Sequence, residues 1–122
     1  MTDEPSVFRP GSISYIRIPA TGPTRSSCFY AAVFGWTIRD DPDSPAFADG
    51  SGHVIGHFVS DQAATGDDGI RPYVYVDSVA ETIEKAREAG GKPAIAPYAE
   101  GNLTVATITD PAGNTIGIWQ QT

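Results

Sequence analysis

Apolar positions along the chain follow strand and helix periods, and they predict the same order of elements twice. In the first half, Ser12–Ala20 has the β-rich composition of a strand. A helix follows, which Thr21 caps and Gly35 ends. Its apolar residues recur at helical spacing and would form a buried face: Cys28, Phe29, Ala32 and Val33. Three short strands separated by Asp, Pro and Gly turns come next: WTIRD, PAFAD and HVIGHFV. The order is β-α-β-β-β.

The second half repeats this order after a polar, acidic linker at Ser60–Gly69. RPYVYV reads as a strand, and Ser78 with Glu81 forms a capping box for a helix that stops at Gly90-Gly91. Three more strands follow: KPAIAPY, LTVATIT and NTIGIWQ. We therefore predict one domain over residues 1–122, with a first module at about 12–60, a linker at 61–70 and a second module at about 71–121.

Two similar segments, DGSGHVIGHF and DPAGNTIGIW, mark the end of each half. The two segments align at a constant offset of 61 residues, which pairs Asp49 with Asp110, Gly56 with Gly117 and Phe58 with Trp119. In each copy the Asp and the following Gly predict a hairpin turn between the last two strands. The expected fold is α+β, with two tandem βαβββ modules packed as one unit because neither could close a core alone.

Composition and charge narrow the classes of partner. The 122 residues carry a formal net charge of −7, from 8 basic and 15 acidic residues. We therefore expect neither nucleic acid nor an anionic membrane surface as a partner. The acidic start has no signal-peptide core, and no apolar run reaches membrane-spanning length, so we expect a cytoplasmic protein. The single cysteine, Cys28, lies among apolar residues and is expected to be a buried thiol rather than a nucleophile.

Three stretches resemble the vicinal oxygen chelate superfamily, the group of glyoxalase I, bleomycin-resistance proteins and extradiol dioxygenases. They are ISYIRIPATGPTRSSCFYAAVFGW, VYVDSVAETIEKAREAGGK and DPAGNTIGIWQ, and the resemblance covers about Ser12 to Gln120. It implies two βαβββ modules whose curved sheets enclose a cleft. In metal-dependent members, a His on the first strand of a module and a Glu on its last strand hold a divalent ion in that cleft.

The resemblance places these four metal-ligand positions at Tyr15, Gly56, Arg71 and Gly117. Arg has no lone pair to give a metal and Gly has no side chain, so we expect no metal and no cofactor. His53 and His57 would lie roughly 13 Å apart at about 3.3 Å per residue, too far to share an ion. If Gly56 faces the cleft, alternation points both imidazoles away from it.

The same alternation predicts what lines the cleft. The expected lining residues are Tyr15, Arg17, Phe58, Arg71, Tyr73, Tyr75 and Trp119, with Val54 and Thr115 beside them. Such a set is typical of a small-molecule pocket, mostly apolar with a few polar groups. The alternative is that the aromatic residues form plain core and the arginines pair with acidic residues at the sheet rim.

We expect a metal-independent member that binds a small organic molecule in an aromatic cleft. The resemblance to bleomycin-resistance proteins also implies a homodimer. An alternative is a glyoxalase-like lyase, isomerase or dioxygenase with a divergent active site, for example an acid–base pair of Tyr15 and Arg71. A third possibility is a module whose partner is another protein.

Overall fold

The computed structural model describes residues 6–40, 44–64, 66 and 68–122. The first module contains β1 (Tyr15–Pro19), α1 (Pro23–Phe34), β2 (Thr37–Arg39), β3 (Ala46–Ala48) and β4 (Ile55–Val59). Its strands form one mixed sheet in the order β1-β4-β3-β2, in which β1 runs parallel to β4 and the other pairs are antiparallel. Residues 65 and 67 of the predicted linker, and residues 1–5, lie outside the described part of the chain.

The second module contains β5 (Tyr73–Tyr75), α2 (Val79–Glu88), β6 (Lys92–Pro93), β7 (Tyr98–Glu100), β8 (Leu103–Thr109) and β9 (Thr115–Gln121). Its sheet has the order β5-β9-β8-β6, and β7 also pairs with β8. The α+β class and the two βαβββ modules are therefore confirmed. Among the described residues, no helix has the length and apolarity needed to cross a membrane.

The stretch predicted as one strand, KPAIAPY, is divided into β6 and β7. Between them the ladder to β8 is irregular: Thr107 accepts from the Ala94 amide through its backbone oxygen and from the Ile95 amide through its side chain, at 2.8 and 2.9 Å. Two residues thus bond to one partner, and Pro97 has no N–H to continue the pairing.

Helix α1 differs from its prediction at its start and in its buried face. Its N-cap is Gly22 rather than Thr21, whereas its end at Gly35, with a φ of 71°, is as predicted. The buried face is centred on Phe29, Tyr30 and Val33, so Cys28 lies on the exposed side and the prediction of a buried thiol was wrong. At 100° per residue, this small rotation of the helix is enough to turn Cys28 outward.

Helix α2 has the predicted capping residue. Ser78 accepts a hydrogen bond from the Glu81 amide at 3.1 Å, and the helix buries Val79, Ile83 and Ala86. The two helices pack on each other and on the sheets, so one core serves both modules. We call the helix-covered side of each sheet its inner face and the opposite side its outer face.

A buried contact connects the two modules. The Tyr30 hydroxyl on α1 donates to Asp110 at 2.8 Å, and Asn114 donates to the Pro19 carbonyl oxygen at 2.7 Å. Burial raises the pKa of Tyr30 well above 10, and the Asp110 charge and its hydrogen bond add to this shift. Asp110 also accepts from the amides of Ala112 and Asn114, so its charge is well solvated by protein donors.

The two hairpin turns differ in length by one residue. Six residues separate the paired Ala48 and Ile55 in module one, but five separate the paired Thr109 and Thr115 in module two. The constant offset of 61 predicted from the sequence therefore holds before the turns and becomes 60 after them. The structural equivalent of Gly117 is His57 rather than Gly56, because both lie at the same step of the ladder.

Candidate functional site

The outer face of module one presents a row of polar and charged side chains. Strand register places Arg17, His57, Ala46 and Arg39 side by side across the sheet, and residues paired in this way share a face. The hydroxyl of Tyr15 lies 2.7 Å from Nδ1 of His57, and the two rings are 5.9 Å apart. Two guanidinium groups, an imidazole and a phenol are thus gathered on one surface, with Ile55 beside them.

The prediction that His57 points away from this surface was wrong. It depended on Gly56 facing the cleft, but Gly56 faces the core: a Cβ there would overlap the Ile16 carbonyl oxygen and the Phe47 ring. Phe58, predicted to line the site, has the same orientation and no accessible surface. It packs against Tyr30 and Phe47 at ring distances of 5.5 and 5.2 Å.

The outer face of module two is aromatic. Register places Tyr75, Trp119, Val105 and Tyr98 in one row across β5, β9, β8 and β7. Tyr75 and Trp119 make an edge-to-face contact, with ring centroids 4.9 Å apart at 83°. Tyr73, Tyr75 and Tyr98 are 46, 50 and 41% exposed, which leaves their rings available to a partner molecule.

Gly117 allows the Tyr73 ring to lie across its strand. The two residues are paired, and a Cβ on Gly117 would overlap the ring. The aromatic ring thus covers the backbone that this glycine leaves bare, so Gly117 is buried although it faces outward.

The remaining predicted site residues are placed as follows. Tyr15 and Arg17 lie together on the outer face of module one, and Tyr73, Tyr75 and Trp119 lie together on that of module two. Arg71 is half-buried and precedes β5. Each module therefore assembles its own part of the predicted set, on a separate sheet.

The sequence analysis missed three residues of these two rows: Arg39, His57 and Tyr98. His57 was missed because the extra residue in the first turn could not be recognised from a pattern that aligned both copies. Tyr98 was missed because its face depends on β7 pairing with β8 after a break in the strand. Counting the residues of the first turn would have revealed the orientation of His57 only if it had been known that strand pairing begins again at Ile55.

The donors present do not fit the divalent metal that the resemblance implies. With the corrected register, the four ligand positions are Tyr15, His57, Arg71 and Gly117, which supply one imidazole and no carboxylate. The Tyr73 ring occupies the space in which a longer side chain at position 117 would lie. Across the described ranges there is no group of three or more His, Cys, Asp or Glu residues able to hold a metal ion.

A groove of about 490 Å³ lies between the C-terminal turn of α1, strand β5 and the start of α2. Of the seven predicted site residues it contains Tyr75 alone, and its rim carries Glu81 and Lys85. The groove is therefore separate from most of the residues on the two outer faces.

Comparison with known proteins gives a match over most of the chain. A family model described as a glyoxalase-like domain matches residues 15–119. Proteins named "Putative glyoxylase CFP32" from Mycobacterium bovis and Mycobacterium tuberculosis are each 25% identical over 125 aligned positions, which cover 94% of this chain. The chain spans 48% of the length of these relatives.

Solved structures share the fold at low identity. A glyoxalase/bleomycin resistance protein/dioxygenase family enzyme from Burkholderia phytofirmans PsJN superposes with a TM-score of 0.76 at 21% identity, covering 89% of this chain and 98% of that one. The fosfomycin resistance protein FosX from Mesorhizobium loti superposes with a TM-score of 0.71 at 10% identity, covering 92 and 93%.

Proposed function

The chain belongs to the glyoxalase-like domain family, and from that premise we propose that it binds a small organic molecule on its outer faces without a metal. The observation that carries the proposal is the pair of rows on the outer faces: a cationic row with Tyr15 on module one and an aromatic row on module two. Apolar side chains that remain exposed together mark binding surfaces.

The chemistry of the two faces indicates the class of ligand. Arg17 and Arg39 carry guanidinium donors and positive charge in a protein whose net charge is −7, and His57 lies between them in the row. Such groups bind carboxylates or other acidic oxygens. The Tyr75–Trp119 pair offers aromatic ring surface, in an edge-to-face arrangement, against which a ring of the ligand can pack. We therefore propose a flat molecule with an acidic or carbonyl group as the ligand.

A second copy of the chain would bring the two kinds of face together. The outer faces lie on separate sheets, and each leaves large side chains exposed, including Tyr15 at 45% and Tyr73 at 46%. We propose a homodimer in which module one of one copy faces module two of the other, so that each site combines a cationic and an aromatic wall. The exposed, unpaired thiol of Cys28 suits a reducing compartment, which supports a cytoplasmic location.

Ligand stabilisation measures binding directly. Aromatic carboxylates should raise the melting temperature more than the corresponding uncharged amides at matched ionic strength. Arg17→Gln should remove this difference, and Trp119→Leu should weaken both kinds of ligand. Arg87→Gln is the matched control, because Arg87 lies on α2 and pairs with Glu84 at 3.2 Å. The proposal fails if no such compound stabilises the protein or if Arg87→Gln acts like Arg17→Gln.

Mixing the two variants tests the shared site. If each site uses both copies, a mixture of Arg17→Gln and Trp119→Leu chains, unfolded and refolded together, should recover about a quarter of the wild-type sites. Half of the dimers would then be mixed, and each mixed dimer would have one intact site. A site within one chain would recover none.

A second candidate function is catalysis by proton transfer. The hydrogen-bonding distance between Tyr15 and His57 favours it, because a phenol held by an imidazole can exchange a proton with a bound substrate. Compounds that stabilise the protein should then be converted on incubation, as followed by NMR. Tyr15→Phe and His57→Gln should each abolish conversion while binding persists. If the stabilising compounds remain chemically unchanged after incubation, catalysis is refuted and binding remains the proposed function.

A further inference from the structure

A cavity of about 180 Å³ lies beside the first turn of α1, away from both outer faces. Its walls are Thr21, Gly22, Arg25, Ser26, Pro111 and Ala112. The first four belong to the start of α1, and the last two belong to the hairpin turn of module two.

The start of α1 offers backbone donors that the helix does not use. Its first helical residue is Pro23, its N-cap is Gly22, and no side chain caps it. The Ser26 amide makes the first helical bond, to the Gly22 carbonyl oxygen at 3.0 Å, so the amides of Thr24 and Arg25 have no partner within the helix. No acidic residue lies in the first turn to offset the positive end of the helix dipole.

Ser26 provides an independent observation. The residue is 1% exposed and contributes to the cavity wall. Within the described part of the chain, its hydroxyl is the buried side-chain polar atom that has no hydrogen-bond partner. A buried hydroxyl is normally hydrogen-bonded, so one without a partner at the edge of a cavity indicates a missing acceptor.

Arg25 adds a charge beside the same cavity. Its guanidinium lies against Gly90 at the end of α2, 3.7–3.8 Å from where a Cβ on Gly90 would be. The nearest acidic group in sequence to the cavity wall is Asp110, whose oxygens already accept from Tyr30, Ala112 and Asn114. Asp110 is therefore already supplied with donors from its own turn and from Tyr30.

We propose that this cavity binds a compact oxyanion of the phosphate type. Backbone amides at a helix start, a guanidinium and a hydroxyl together suit a tetrahedral group whose several oxygens each accept a hydrogen bond. The same chemistry is offered by inorganic phosphate and by the phosphate of a small phosphomonoester. The site is distinct from the outer faces and does not depend on the ligand proposed for them.

Titration of the full chain with inorganic phosphate tests the proposal, with chloride at equal ionic strength as the reference. Calorimetry should show saturable binding of phosphate, and amide NMR shifts should concentrate at Thr24 and Arg25. Methyl phosphate in a parallel titration distinguishes the two sources: binding as tight as that of inorganic phosphate identifies an ester site, and exclusion identifies a site for the free ion.

Three variants make the test specific. Arg25→Gln and Ser26→Ala should each weaken phosphate binding, Arg25→Gln by about tenfold. Gly22→Asp should abolish binding and raise the melting temperature, because its carboxylate would occupy the free amides; Gly22 has a φ of −127°, and a Cβ there makes an ordinary 3.6 Å contact. Arg87→Gln, on α2 where Arg87 pairs with Glu84, should leave phosphate binding unchanged. Equal responses to phosphate and chloride, undiminished binding by Gly22→Asp, or loss of binding in Arg87→Gln would each overturn the proposal.

Discussion

Removing the Tyr30 hydroxyl should weaken the buried contact between the two modules without disturbing the packing of the core. Tyr30→Phe keeps the ring, which stacks on Trp36 with centroids 4.8 Å apart and touches Phe58 at 5.5 Å. The change therefore opens no cavity of consequence. It removes one donor to Asp110, a buried carboxylate that keeps its bonds from Ala112 and Asn114.

The expected cost follows from the kind of bond that is lost. A hydrogen bond to a charged group contributes about 1.5–3 kcal/mol, and the remaining donors to Asp110 place Tyr30→Phe at about 1.5–2 kcal/mol. Asp110→Ala should cost more, about 3–5 kcal/mol, because it leaves the Tyr30 hydroxyl and the turn amides buried without an acceptor. On that background Tyr30→Phe should cost nothing or stabilise the protein, since it removes a hydroxyl that has no partner.

Urea unfolding of the two single variants, the double variant and the wild type measures these terms, with Trp fluorescence as the signal. The coupling should also depend on pH. The folded pKa of Tyr30 is raised, chiefly by burial, so the folded protein keeps a proton that the unfolded chain releases near pH 10. The contribution of the neutral Tyr30 hydroxyl to the free energy of unfolding is present below pH 10. It is lost as pH rises toward the folded pKa, by about 1.4 kcal/mol per pH unit.

Two results would refute this reasoning. If Tyr30→Phe costs the same in the wild type and in Asp110→Ala, the two side chains are not coupled. If the advantage of the wild type over Tyr30→Phe does not shrink above pH 10, the phenol is not held neutral by burial and Asp110.

Three further predictions concern individual positions. Gly56→Ala should lower the free energy of unfolding by about 1–3 kcal/mol or more, because its Cβ meets the Ile16 backbone and the buried Phe47 ring, and urea unfolding measures this. Gly117→Ala should cost less, about 1 kcal/mol, and increase the exposure of Tyr73, which can swing into solvent; equal costs for the two substitutions would contradict the opposite orientations of these glycines. Cys28 should react stoichiometrically with a thiol reagent in the folded protein; reaction only after denaturation would show that it is buried.

Much of the fold could be predicted from the sequence, because the signals are local. The αL glycine at Gly35 and the Ser78 cap fixed helix ends, and alternation with turn residues located strands in both modules. The break at Ile95 could not be predicted, since it depends on Thr107, a residue of the neighbouring strand. The N-cap at Gly22 instead of Thr21 was also not accessible, because both residues are compatible with a helix start.

The orientation of the candidate site residues was predicted only in part, and their role in binding stays a prediction. Alternation placed Tyr15, Arg17, Tyr73 and Tyr75 correctly on one side of their strands, where they alternate with less exposed neighbours. It failed on β4, where the number of turn residues sets the phase of the alternation. For that reason the prediction placed Phe58 on the outer face and His57 on the inner face, the reverse of what the structure shows.

One residue of turn length therefore determines the chemistry of an entire surface. After a duplication, two copies of a strand can keep nearly the same residues. An insertion of a single residue in the preceding turn nevertheless turns every outward-facing side chain inward. Module one presents an imidazole where module two presents a bare backbone, and the difference arises between Asp49 and Val54 rather than on β4 itself. Divergence between such copies can thus proceed by length changes in turns, which alignment by similar residues conceals.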